Sequence, residues 1–215
     1  MSKVISAVPF LDLAPQYQAL EAEWLAAIRA SGAKGSFILG PNVTAFEQEF
    51  AAYVGVKHAI GVANGTDSLI LSLRALGIGR GDEVITTPFT FFASSEAIDG
   101  VGATPVFADI DADSFCIDPA SIRRCITPKT RAILPVHLFG HPTAMDEIMA
   151  IANEHKLAVI EDCAQAFGAT SGGRAVGSIG DTGSFSFYPT KVLGCYGDGG
   201  MVTTNRDDVN EHIRR

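Results

Sequence analysis

The chain has 215 residues, 47% of them apolar and 19% charged, which suits one ordinary globular domain with a substantial core. A formal charge of −8 without any Lys/Arg run excludes the one-sided positive surface of nucleic-acid binders, so no nucleic-acid partner is expected. No apolar stretch approaches the length of a bilayer span, and the opening MSKVISAVPFLDLAPQ has too short an apolar core and no small-residue cleavage site, so a cytoplasmic protein without membrane contact is expected. Cys116, Cys125, Cys163 and Cys195 lack CxxC spacing and predict reduced thiols rather than a zinc cage or a disulfide framework.

Along the chain, Tyr17, Leu20, Trp24, Ala27 and Ile28 recur at helical spacing over 16–29 and predict an amphipathic helix, with Gly32 as its stop. A second helix is predicted over 41–54, with Val43, Phe46 and Phe50 on one face, Pro41 in its first turn and Gly55 past its end. A regular alternation comes next: an apolar run at 58–62, a helix at 67–76, a run at 83–87 and a helix at 93–101. Further runs at 105–108, 132–136 and 157–160 are separated by helical patterns such as Met145, Ile148, Ile151 and Ala152. Strands alternating with helices predict an α/β fold, a sandwich of three layers with a mostly parallel central sheet. The last third brings Gly-rich turns in SGGRAVGSIGDTG, runs at GSFSFYP and GGMVTTN, and a helical start at DDVNEHIRR, where a chain cut short is expected.

In such sheets ligands gather at the carboxyl ends of strands, and four turns there are candidates for chemistry. Asn64-Gly65-Thr66-Asp67-Ser68 opens a helix after a strand, so its backbone N–H groups could hold a phosphate; an ordinary helix cap is the alternative. Glu161 and Asp162 come directly after the run 157–160, and an acid there can keep a ring nitrogen protonated or simply cap the next helix. The stretch Ser184 to Lys191 presents Ser186, Thr190 and Lys191 at a Pro turn; a partly buried lysine can form a Schiff base, whereas a solvated one is only a surface charge. Thr87-Pro88-Phe89-Thr90-Phe91-Phe92 is an aromatic cluster able to stack on a planar ring or to pack in the core. His137 and His141 sit four apart, but Gly140 and Pro142 place them in a loop with no Glu or Cys at ligand spacing, so no metal site is expected. Gly77-Ile78-Gly79-Arg80-Gly81 comes after a helix and precedes a strand, the wrong order for a dinucleotide turn.

A phosphate turn, an aromatic plate, an acid at a strand end and a late Ser/Lys turn together make the constellation that binds pyridoxal phosphate. The ordered motifs FLDLAPQY, FILGPNVTAFEQEFAAYVG, NGTDSL, GDEVITTPFTFFAS, PVHLFGHP, VIEDCAQAFGA and SFSFYPTKVLGCYGDGG also make the chain similar, along nearly its whole length, to the DegT/DnrJ/EryC1/StrS family of sugar aminotransferases. The resemblance implies an aspartate-aminotransferase-like large domain (fold type I), residues 1–215 being an N-terminal segment plus that domain and the small C-terminal domain being absent. It further implies Lys191 as the Schiff-base lysine, Asp162 as partner of the pyridine nitrogen, Phe91 stacked on the ring and Gln165 hydrogen-bonded to the phenolic oxygen. The backbone at Gly65, Thr66 and Asp67 and the hydroxyl of Ser186 would hold the phosphate. The implied reaction moves an amino group, from glutamate as donor, to a nucleotide-linked keto sugar for amino-sugar or surface-polysaccharide biosynthesis, in a homodimer with shared active sites. Relatives that dehydrate deoxysugars carry a histidine where this chain has Lys191, which favours transamination. Val192 departs from the Asn or Pro common in the family, and the Asn that relatives lend to the neighbouring subunit lies beyond this sequence. The alternative from another class is a truncated non-catalytic or regulatory member of the same fold, which predicts no turnover with any amino donor.

Overall fold

A computed structural model of the chain describes residues 7–215, so the opening stretch considered as a leader lies partly outside the described residues. Between Thr44 and Ala45 the chain divides into two compact units.

The first unit holds α1 (Ala14–Lys34) and the opening turn of α2 (Pro41–Val54). Helix α1 overruns the predicted stop at Gly32 and ends at Gly35, whose φ of +63° supplies the left-handed cap and whose N–H bonds the Gly32 carbonyl. A glycine inside a helix costs about 1 kcal/mol, too little to end it, whereas a left-handed cap position selects glycine outright. None of the apolar residues of α1 is buried. The Tyr17 and Trp24 rings meet at 5.7 Å, and the Tyr17 hydroxyl donates to Glu21 at 2.8 Å.

The second unit builds the predicted α/β alternation. After α2 come β1 (His58–Val62), α3 (Gly65–Ala75), β2 (Glu83–Thr86), α4 (Ala93–Gly100), β3 (Thr104–Phe107), α5 (Pro119–Cys125), β4 (Thr130–Ile133), α6 (Met145–His155) and β5 (Ala158–Asp162). A small hairpin, β6 (Thr170–Ser171) and β7 (Arg174–Ala175), leads to β8 (Thr182–Ser186), β9 (Gly200–Thr204) and α7 (Asp207–Arg214). The sheet runs β1-β9-β8-β5-β4-β2-β3, and only β9 opposes its neighbours. Six strands therefore deliver their carboxyl ends to one edge, which is where the chemistry-bearing turns lie.

Strand alternation sorts the core into two faces. Val84, Ala132, Leu134 and Ile160 pack against Leu69 and Leu73 of α3 and Ala97 and Ile98 of α4. Their neighbours Ile85, Ile133 and Val159 pack against Ile122 of α5 and Met145, Ile148 and Ile151 of α6. Each Val, Leu, Ile or Met among them, fully buried, contributes roughly 1.5–3 kcal/mol of transfer free energy. Phe50, Ala51 and Val54 of α2 cover the far end of the sheet against Ala59, Phe185 and Met201, with the Phe50 and Phe185 rings 5.0 Å apart.

Several boundaries differ from expectation for identifiable reasons. Helix α3 begins at Gly65, because Asn64 is its cap and accepts the Asp67 N–H. Strand β5 continues through Glu161 and Asp162, so the two acids lie within the strand rather than after it. Strand β4 is shorter than the run 132–136, although Val136 still bridges to Asp162. Helix α5 falls between the runs 105–108 and 132–136, where a helical pattern without bounds was expected; Pro119 sits in its first turn, and Asp118 caps the Ala120 and Ser121 N–H groups. The Gly-rich stretch folds as a hairpin because Gly172 and Gly173, at φ +56° and +79°, supply the two left-handed residues a tight two-residue turn needs. No helix among the described residues is long and apolar enough to cross a membrane.

Candidate active site

The turn after β1 is a reciprocal cap. Asn64 Oδ1 accepts the Asp67 N–H at 2.8 Å, and Asn64 Nδ2 donates to Asp67 Oδ2 at 3.1 Å. The Asp67 carboxylate is thus turned back on Asn64, and among the described residues the N–H groups of Gly65 and Thr66 are left without a partner at the positive end of α3. Gly65 also lies against β8: a Cβ there would stand 2.6 Å from Ser186 Cβ. Gly200, opening β9, approaches the Asn64 carbonyl so closely that any side chain would collide with it. The Ser186 oxygen accepts the Tyr188 N–H at 3.3 Å, which leaves its hydroxyl hydrogen free to donate beside Gly65. The first and third sequence turns, more than a hundred residues apart, therefore meet at one small polar cradle walled by glycines.

The two adjacent acids of β5 point to opposite faces, as neighbours in a strand must. Glu161 is fully buried, and each of its oxygens accepts two donors. Oε2 takes His137 Nε2 at 3.0 Å and the Gly177 N–H at 2.9 Å, while Oε1 takes the Ile179 and Gly180 N–H groups at 2.8 and 2.7 Å. Burial opposes its charge, but His137 and the Gly177 and Gly180 N–H groups outweigh that and hold the carboxyl below the ordinary glutamate range. His137 Nδ1 accepts the Thr143 N–H at 3.1 Å, so the ring hydrogen resides on Nε2 and donates to Glu161 without requiring a second proton.

Asp162 is 6% exposed and far less well supplied. Its Oδ2 accepts the Ser94 hydroxyl at 2.9 Å and its Oδ1 the Ala164 N–H at 3.1 Å. Burial raises its pKa, with the Ala164 and Ser94 hydrogen bonds and the Lys191 charge pulling the other way. A carboxylate offers about four acceptor sites, so two remain unfilled among the described residues. Among the described residues no helix follows β5 before the β6–β7 hairpin, so neither acid caps one; Glu161 organises the fold and Asp162 is the one with spare capacity.

Lys191 is half-buried in the turn after β8, closed by its N–H on the Tyr188 carbonyl at 2.8 Å, and it lies close enough for its charge to act on Asp162. Phe91 is 71% exposed, so the core-packing reading of the aromatic turn does not hold for it. Gln165 Oε1 accepts the Phe139 N–H at 2.8 Å, which fixes the amide and turns its Nε2 donor outward. Phe139 reaches this position with φ +54°, and Gly140 beyond it has φ +84°.

His141 is exposed and does not join His137. His137, Glu161 and Cys163 do approach within 4.8 Å of one another among the described residues. Both His137 nitrogens and both Glu161 oxygens are already hydrogen-bonded, and burial pushes the Cys163 thiol well up, so the group is a filled polar network. Sequence reasoning missed Ser94 and the Glu161–His137 pair. For Ser94 the available signal was a lone hydroxyl on the buried face that Ala93, Ala97 and Ile98 give α4.

The UDP-N-acetyl-3-dehydro-alpha-D-glucosamine 3-aminotransferase of Acidithiobacillus ferrooxidans is 51% identical over 209 residues, 97% of this chain and 57% of that protein. The structure of S. venezuelae DesV in complex with a ketimine intermediate superposes with a TM-score of 0.93 at 49% identity, over 96% of this chain and 56% of that one. The Bacillus subtilis NtdA structure with bound cofactor PMP gives 0.92 at 35% identity, over 98% of this chain and 48% of that one. The chain thus spans about half the length of the relatives it matches. The model of the DegT/DnrJ/EryC1/StrS aminotransferase family matches residues 18–215, and the chain belongs to that family.

Proposed function

We propose that the protein takes part in pyridoxal-phosphate-dependent transfer of an amino group from glutamate to a nucleotide-linked keto sugar, in a homodimer with shared active sites, for amino-sugar or surface-polysaccharide biosynthesis. The observation that carries this reading is Asp162: a buried carboxylate with two acceptor sites unfilled, on the ligand-facing edge of the sheet and within reach of the Lys191 charge. A buried carboxylate is costly unless a cation or donor meets it, and a protonated ring nitrogen would do so.

The rest of the edge suits the same cofactor. Phosphate would be held by the Gly65 and Thr66 N–H groups and the Ser186 hydroxyl, in a cradle that a Cβ at Gly65 would fill. Asp67 supports that cradle by fixing Asn64, its own N–H being engaged. The Gln165 Nε2 is a donor suited to a phenolic oxygen, and the exposed Phe91 ring offers a flat face for stacking. Bound there, pyridoxal phosphate supplies an electron sink and a carrier for the amino group. Asp162 would keep the ring nitrogen protonated, Phe91 and Gln165 would hold the ring plane, and Lys191 Nζ would anchor the cofactor and serve as the base and acid at Cα of the amino donor. Relatives with nucleotide-sugar names, such as the Acidithiobacillus ferrooxidans 3-aminotransferase, support the substrate class.

The direct test is a visible absorbance spectrum of the protein with added pyridoxal phosphate, then borohydride reduction and peptide mapping. A yellow protein whose reduced label sits on Lys191, and a K191A variant that takes up no label, are expected. A label spread over surface lysines, or none at all, would sink the assignment.

A further inference from the structure

Ser94 behaves unlike an ordinary helix serine. A serine in the first turns of a helix usually bonds a nearby backbone carbonyl, and Ser95 does so, donating to the Phe92 carbonyl at 3.0 Å. Ser94, 1% exposed, instead reaches across 68 residues of sequence to Asp162 Oδ2 at 2.9 Å. Because an ionised carboxylate only accepts, the Ser94 hydrogen must point at Asp162. The Thr90 hydroxyl, 3.1 Å from Ser94 Oγ, is then the donor to that oxygen, giving a directed chain from Thr90 through Ser94 to Asp162. Phe91 is the residue next to Thr90, so the chain ends in the turn that bears the exposed aromatic ring. Hydrogen bonds in series in a buried setting polarise and reinforce one another.

We propose that Ser94 is a positioning residue: its hydroxyl fixes Asp162 Oδ2 and favours the charged carboxylate, and Thr90 ties that arrangement to the turn bearing Phe91. The proposal rests on the reading that Asp162 faces the cofactor ring. Ser94 touches neither substrate nor cofactor and acts only through Asp162. Burial works against the Asp162 charge, and the Ser94 bond is one of the few interactions working for it.

Three variants separate the hydroxyl from the packing: S94A removes it, S94T keeps it, and S94V has the volume of S94T without it. In the purified protein without cofactor, a carbon-13 NMR titration tracks the Asp162 carboxyl, identified by its disappearance in D162N. The midpoint is expected to move up in S94A and S94V and to stay in place in S94T. Pyridoxal phosphate affinity should fall about tenfold in S94A and S94V, the loss of one charge-assisted hydrogen bond, and be retained in S94T. A midpoint that does not move in S94A and S94V, or an S94T protein as impaired as S94V, overturns the proposal. Should D162N bind cofactor as the wild type does, the cofactor reading beneath it falls. That outcome is recognised because the Ser94-dependent midpoint then stands without any change in affinity.

Discussion

Replacing Glu161 with Gln preserves shape and removes one acceptor from a fully occupied carboxylate. Oε1 and Oε2 each receive two donors, so either orientation of the amide sets its NH2 group against two buried N–H groups. Each stranded donor costs roughly 1–3 kcal/mol, and two of them about 4 kcal/mol. The neutral amide is easier to bury than a carboxylate, which offsets part of this. The geometry decides which effect wins: four donors converge on this one carboxylate, so stranding two of them outweighs the relief of burying a neutral amide. Urea unfolding at pH 7, monitored by circular dichroism, is the assay. With a slope of roughly 2.5 kcal/mol per molar, E161Q should lose about 1.5 M of midpoint with the slope unchanged. The sign with pH is also fixed. A carboxyl lowered on folding contributes stability that is full above its unfolded pKa and is lost as pH falls through the folded one, so wild type and E161Q should converge below the ordinary glutamate range. A midpoint loss under about 0.4 M, equivalent to roughly 1 kcal/mol, or a deficit that persists undiminished in acid, would refute the reasoning.

The neighbouring acid gives the opposite expectation. Asp162 is raised on folding, so its contribution is most favourable below the unfolded pKa and turns into a penalty as pH rises through the folded one. D162N should melt at a higher temperature than wild type at pH 8, the gap closing towards acid, while pyridoxal phosphate affinity falls about a hundredfold with the loss of a buried charge pair. In the cradle, G65A drives a Cβ into Ser186 Cβ and should cost about 2 kcal/mol in urea unfolding. The double variant G65A/S186G removes the obstructing atom, and is expected to recover most of that stability but not the cofactor affinity.

How far the molecule could be read from its residues depended on the range of the interaction involved. Helix α2 and strand β1 were legible to the residue, because apolar period, Pro at the start and Gly past the end all act locally. The order of the turns and their place at strand ends were legible for the same reason. The end of β5 was not, since Glu161 and Asp162 look like loop residues after an apolar run, and only contacts to His137, Gly177, Gly180 and Ser94 explain their burial. Helix α1 shows the converse: a helical apolar spacing was plain, yet no residue of it is buried, because periodicity predicts a face and not what covers it. The role of Asp67 was also hidden, because whether an N–H is free depends on which way Asn64 points.

If Asp162 meets the cofactor as proposed, the pair Glu161–Asp162 shows how one strand would serve structure and chemistry together. Alternation along β5 sends one carboxylate into a pocket of four donors and the other to the opposite face with only two. The first, through His137, Gly177 and Gly180, pins β5 to the loops on its far face, so the backbone carrying the second is held from behind. Asp162 can then remain under-supplied, its charge costly until a cationic partner arrives, without disturbing the strand that presents it. A site of this kind binds by relieving a cost built into the fold, which is the stability that functional acids forgo and that their neighbours must restore.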